Sequence, residues 1–214
     1  MALPESNVPT VLLTEEEYLE MERKSEERHL YLDGYVYAMA GETLAHGDIC
    51  TNIIGTLFSQ LRDSPCRVLS KDMKVRSGPI PTARRTKKGM FSYPDIIVVC
   101  GTPVFHDHHR DVLLNPTVII EVLSDSTEAF DRGQKFLRYR NYLESLSEYI
   151  LISQNTAHID HFQRRGNKGW FLQTFFSLED TFTIPAINCS LKLSDVYARV
   201  TFPPPKDEFE EDDE

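Results

Sequence analysis

Asp95 and Glu121 are the residues of this chain that most need a chemical reason. Each is a carboxylate set in an apolar, β-branched run, Tyr93-Pro-Asp-Ile-Ile-Val-Val-Cys-Gly for the first and Thr117-Val-Ile-Ile-Glu-Val-Leu-Ser for the second. An acid in a half-buried strand is costly unless something pairs with it, so these two are either salt-bridged structurally or held to bind a cation. Carboxylates from neighbouring strands suit a hard divalent ion, Mg2+ or Mn2+, which takes oxygen ligands, acidifies water and neutralises charge developing on a phosphate. The main-chain carbonyl of Val122 would add a further oxygen to that metal site. Chemistry of this kind hydrolyses phosphodiesters.

A positive group beside the acids would orient the attacking water or stabilise the pentavalent phosphorus. Lys135 is the candidate, in Asp131-Arg-Gly-Gln-Lys-Phe-Leu-Arg-Tyr-Arg, on the helix expected after the Glu121 strand. Arg138 shares its face at i+3, so either could point back at the acids. The plainer alternative is that Lys135 pairs with Asp131 at i−4 on the helix surface. His46 is an auxiliary candidate, since a neutral imidazole binds a metal or a phosphate-bound water, although a capping or core histidine is an equal reading.

These groups need a scaffold, and the pattern supplies one. Thr14 followed by Glu17 has the form of a capping box opening a first helix. Two apolar runs flank Asp33-Gly34, a hairpin signal. From His46 to Arg62, apolar residues recur at Ile49, Ile53, Ile54, Leu57, Phe58 and Leu61 with helical spacing, a stripe that should face a sheet. Cys66 to Arg76 alternates as one half-exposed strand, ended by Pro79 and Pro81. After the Asp95 and Glu121 strands a helix runs to about Ser145, with Phe136, Tyr139, Tyr142 and Leu143 on its packed side. A buried strand from Glu148, a hairpin turning at Arg165-Gly-Asn-Lys-Gly, a strand at Asp180 and a short helix near Leu193 close the chain. Helices alternating with strands predict an α/β (mixed α+β) fold, one mixed sheet flanked by helices.

At 214 residues the chain can bury a substantial core, and its 41% hydrophobic and 10% aromatic content is ordinary for a globular protein. The expected organisation is a flexible N-terminus over residues 1–10, one domain over 11–202 and an acidic, disordered tail over 203–214. The net charge of −10 disfavours indiscriminate binding of nucleic acid, but seven of the negatives lie in the tail, from Asp207 to Glu214. A basic surface must therefore be a patch. Arg84, Arg85, Lys87 and Lys88 form a candidate loop for phosphates, with Arg138 a further candidate, against the plain reading of a solvated loop tip. Clustered His106, His108 and His109 sit in a polar loop that makes a poor ligand cage. The four cysteines, Cys50, Cys66, Cys100 and Cys189, show no CxxC pair, which predicts free buried thiols in a cytoplasmic protein. No apolar run reaches the roughly 18 residues of a membrane span.

Pro94-Asp95, Glu121-Val-Leu-Ser-Asp-Ser-Thr127, Asp131-Arg-Gly-Gln-Lys135, Tyr139 and Glu148-Tyr149 together resemble the Uma2 family of restriction endonuclease-like proteins, whose fold is similar to the PD-(D/E)XK nuclease superfamily. Asp33-Gly34 and His46 extend the match, which covers about residues 12 to 200. The resemblance implies that Asp95 and Glu121 are metal-binding acids in a restriction-endonuclease-like core. Two departures stand against the pattern. Leu123 occupies the position where the superfamily motif has lysine, and the lysine of the following helix, Lys135, is its replacement in Uma2-like sequences. Tyr35 stands where related sequences often carry Glu.

Two functions follow. The first is a Mg2+- or Mn2+-dependent endonuclease acting on DNA, a homodimer by analogy, because cutting a duplex calls for two sites. The second is a catalytically silent module on the same scaffold that binds nucleic acid or a protein partner, a reading that Leu123, Tyr35 and the net acidity favour.

Overall fold

The computed structural model describes residues 12–39, 41–80, 87–166 and 169–204. Residues 1–10, Arg84, Arg85 and most of the acidic tail (205–214) lie outside the described residues.

Helix α1 (Glu15–Glu22) starts on the expected capping box: the Thr14 hydroxyl accepts from the Glu17 N–H at 3.2 Å, and Glu17 accepts from the Thr14 N–H at 2.8 Å. β1 (His29–Leu32) and β2 (Tyr35–Ala38) then pair antiparallel around Asp33 and Gly34, whose φ values of 49° and 98° are those of the tight hairpin turn. α2 (Leu44–Gln60) follows, capped by the Thr43 hydroxyl on the N–H of His46.

The remaining strands build two larger sheets. β3 (Cys66–Ser70), β6 (Ile96–Cys100), β8 (Val118–Leu123), β9 (Glu148–Ser153), β10 (Ile159–Arg164) and β11 (Trp170–Phe175) form a six-stranded sheet in the order β11-β10-β9-β8-β6-β3. β4 (Lys74–Ser77), β5 (Met90–Ser92) and β7 (Val112–Leu113) join the hairpin in a five-stranded sheet, β2-β1-β5-β4-β7. β8–β9 and β4–β7 are parallel and the other pairs antiparallel, so the pairing is mixed as expected, but the strands divide between two larger sheets where the element pattern predicts one. β12 (Thr181–Ile184) and β13 (Cys189–Lys192) make a separate ribbon.

Alternation in the central strands feeds two cores. Ile96, Val98, Val118, Ile120 and Val122 pack under Ile49, Ile53 and Leu57 of α2. Ile97, Val99, Ile119 and Leu123 point to the other face, against Val75 and Met90 of the smaller sheet and the helical segment after β8. That segment is α3 (Glu128–Phe130), a π-helical turn (Asp131–Lys135) and α4 (Phe136–Tyr142) in unbroken succession. The Tyr149 hydroxyl donates to the carbonyl of Asp131 at 3.0 Å, satisfying main chain inside the turn where the regular helical ladder is interrupted. The Tyr149 ring stacks on Phe136 with centroids 4.9 Å apart, and the Tyr139 hydroxyl meets Ser92 of β5 at 2.7 Å. A final short helix, α5 (Leu193–Val196), packs on α2.

Four further expectations are corrected. The run from Cys66 to Arg76 is two strands in different sheets, because the chain turns at Lys71–Met73 and leaves one sheet for the other. Phe58 and Tyr142 share the helical period but fall outside the packed arc, and are 61% and 46% exposed. Cys66 and Cys100 are bridged rather than free: directly opposed on β3 and β6, their Cα atoms lie 3.9 Å apart. Their distance in sequence hides an adjacency that only strand pairing creates. Cys50 and Cys189 are free.

Candidate active site

The antiparallel register of β6 and β8 pairs Ile96 with Ile120, so Asp95 and Glu121 occupy the next position along, at the end of β6. The Asp95 N–H approaches Glu121 Oε2 at 3.4 Å. Asp95 is pinned at both oxygens: Oδ2 accepts the Val122 N–H at 2.8 Å, and Oδ1 lies 3.0 Å from His46 Nε2. The two acids are thus adjacent, Asp95 held from the α2 side by His46 and Glu121 from the other side by Lys135, and Val122 takes part through its N–H.

Glu121 points to the face opposite α2 and is 2% exposed. There the π turn brings Lys135 Nζ to 2.8 Å from Glu121 Oε1 and to 2.8 Å from Asp131 Oδ1. The functional and the plain reading of Lys135 are thus realised together. Its contact with Asp131 is a hydrogen bond, whereas it approaches Glu121 without that alignment, so the buried Oε1 accepts no hydrogen bond. Arg138 does not reach the acids. It pairs with Asp33 at the hairpin turn, because α4 carries it round toward β1 and β2.

The electrostatics follow from burial. Removal from water raises the pKa of Glu121 far above the carboxylate range; Lys135 opposes this, while Asp131 and Asp95 add to it. Burial disfavours the charge on Lys135, but Asp131 and Glu121 prevail and hold the ammonium protonated. For His46 too, burial is outweighed by the hydrogen bond and charge of Asp95, and its pKa is raised.

The donor set fits a divalent cation. Two carboxylates, Glu121 and Asp131, share a single ammonium, the backbone of Asp95 lies beside Glu121, and a fully buried carboxylate oxygen lacks a hydrogen-bond donor. On the α2 side, Cys50 stands one turn beyond His46, and ligand atoms of His46, Cys50 and Asp95 all lie within 4.8 Å of one another.

An open cleft of about 290 Å³ is lined by Asp95, Glu26, Glu27, Glu42, Arg28, Lys71 and Tyr93 among others, so carboxylates outnumber cations in it. The Arg28 guanidinium donates to the Lys71 carbonyl at 3.2 Å, and Lys71 pairs with Glu42. Of the expected phosphate-binding loop, Lys87 and Lys88 are exposed, and Lys87 abuts the same hairpin turn that Arg138 meets.

Sequence reasoning missed Cys50, Arg28 and Lys71. The i, i+4 spacing of His46 and Cys50 on a helix would have found the first. Arg28 and Lys71 flank different strands, and no spacing links them.

A family model described as "Uma2: Putative restriction endonuclease" matches residues 15–194. An uncharacterized protein of Synechocystis sp., sll1609, is 31% identical over 163 residues, covering 76% of this chain and 87% of its own length. A second from the same organism, slr1290, is 27% identical over 197 residues, covering 92% of this chain and 97% of its own. Among solved structures, a putative nuclease of the DUF820 group from Anabaena variabilis superposes with a TM-score of 0.68 at 14% identity, over 86% of this chain and 97% of that one. This last similarity concerns the fold.

Proposed function

The chain belongs to the Uma2 family, and on that premise we propose that it is a metal-dependent endonuclease hydrolysing DNA phosphodiester bonds. The observation that carries the reading is the approach of Lys135 Nζ to Glu121 Oε1 at 2.8 Å. The lysine that position 123 lacks is delivered from the helix to the same acid.

Asp95 and Glu121 would hold Mg2+ or Mn2+, and the Val122 carbonyl would offer a third oxygen. Such a cation supplies acidified water and neutralises charge on the phosphate. Lys135 works as a fixed cation rather than a base, since its two carboxylates keep it protonated; it orients the water or a phosphate oxygen. His46 is a positioning residue that holds Asp95 in place. Because burial favours the neutral form of Glu121, a cation held there would displace its proton, and its binding would strengthen as pH rises. Arg28 and Lys71 receive a phosphate in the cleft, and the exposed Lys87 and Lys88 are the candidates for further phosphate contacts. A homodimer supplies the second site needed to cut both strands, and the cytoplasm is the expected setting.

One observation favours the silent-module reading: the Lys135 ammonium lies 2.8 Å from an oxygen of Asp131 and of Glu121, which offsets charge in the site without any ion. Plasmid nicking with Mn2+ and calorimetric titration of Mn2+ separate the two. We expect metal-dependent nicking that disappears in Asp95→Ala. If Mn2+ binds with no dependence on Asp95 and Glu121, the nuclease reading fails and a binding module is left.

A further inference from the structure

We infer that His46, Cys50 and Asp95 form a distinct site for a thiophilic divalent cation of the Zn2+ class, one that captures Asp95 from the hard-cation site. The three ligand atoms lie within 4.8 Å of one another. A tetrahedral ion with bonds of about 2.0–2.3 Å holds its ligands roughly 3.3–3.8 Å apart, so closure needs movements of no more than about 1 Å. His46 and Cys50 are presented on one face of α2 at i, i+4. The start of that helix is fixed by the Thr43 hydroxyl, which caps His46 and also bonds Gln154 at 2.5 Å. Asp95 is fixed in turn by the Val122 N–H.

The ligand chemistry separates this site from the one at Glu121. Mg2+ prefers oxygen and leaves a thiol alone, whereas sulfur with imidazole and carboxylate is a donor set for Zn2+ or Co2+. Cys50 is half-buried. Burial, reinforced by Asp95, keeps its thiol protonated without metal. Binding therefore breaks the S–H bond, forms a metal–sulfur bond and sends the proton to solvent. The same event replaces the hydrogen bond between His46 and Asp95 with two metal bonds, which leaves Asp95 less available beside Glu121. The inhibitory consequence rests on the nuclease reading; ion binding does not.

Co2+ is titrated into the full chain with excess Mg2+ present, and the thiolate-to-cobalt charge-transfer band is followed. One equivalent should saturate the band, and Zn2+ should erase it by displacement. Cys50→Ser should remove the band and weaken Zn2+ by more than the roughly 10–100-fold that losing an outer-shell partner costs. His46→Ala should weaken Zn2+ as well, while Cys189→Ser and Glu121→Gln leave the band intact. A band surviving in Cys50→Ser, or absent from wild-type protein with an intact circular dichroism spectrum, overturns the inference. In the nicking assay, Zn2+ should inhibit the wild type and spare Cys50→Ser. A band without any nicking removes the nuclease reading alone, and nicking without a band removes this inference alone.

Discussion

Replacing Lys135 with methionine tests the core of the site without requiring any activity. The ammonium lies 2.8 Å from each of two carboxylate oxygens, on Glu121 and Asp131, with all three side chains at 10% exposure or less. At an effective dielectric of about 20 each contact is worth about 6 kcal/mol before solvation is counted. Most of that is cancelled by the cost of taking the charges out of water. What the substitution exposes is two buried carboxylates with no cation, for which about 3–5 kcal/mol of lost stability is expected. The pH dependence fixes the sign. Burial raises the folded pKa of Glu121 above its unfolded value, so the folded state binds the extra proton and stability declines as pH rises between the two values. Without Lys135 that pKa climbs further, because the lysine is the partner that lowers it. The share of the Lys135→Met deficit that comes from Glu121 should therefore be small at weakly acidic pH, where Glu121 is neutral, and grow toward alkaline pH. Urea unfolding with EDTA at a series of pH values measures this. A loss below about 1 kcal/mol at every pH, or one that does not grow with pH, would refute the electrostatic account of the site.

Three further outcomes follow from other parts of the molecule. The Cys66–Cys100 bridge closes a loop with a sequence separation of 34, so a double serine variant should lose about 3–4 kcal/mol in denaturant unfolding and become insensitive to reductant. Thr14→Ala removes the acceptor for the Glu17 N–H and should lower stability by about 1 kcal/mol, read as a shift of the urea midpoint. Arg28→Ala with Lys71→Ala should weaken binding to duplex DNA of any sequence and reduce the slope of log affinity against log salt by about 0.9 for each phosphate that is no longer neutralised.

Much of the fold is legible from period and punctuation. The Thr14 box, the Asp33-Gly34 turn and the stripe at Ile49, Ile53 and Leu57 each encode a local structure that the packing then accepts. The acids were legible for a different reason: charge inside a β-branched run costs free energy, and Asp95 and Glu121 stand out against their neighbours. What stayed hidden depends on juxtaposition. Cys66 meets Cys100 through strand pairing and Arg28 meets Lys71 through tertiary packing, and no residue in either segment announces its partner. Arg138 misled because spacing places it on a face without saying how far that face is turned, and the chain turns it to Asp33.

The π-helical turn answers that question of phase. Asp131, Lys135 and Tyr139 are all buried and recur every four residues, yet an unbroken α-helix, turning about 100° per residue, would swing Tyr139 about 80° away from Asp131. A turn wound more slowly cancels that drift, so Asp131 keeps the same face as Lys135, which meets Glu121, and Tyr139, which meets Ser92. The five residues Asp131–Lys135 thus act as a vernier between Asp131 and the groups that follow it. Removing one residue there would keep the helix while turning the lysine and the tyrosine together to a new compass bearing, so the length of this turn is as much part of the site as the residues it carries.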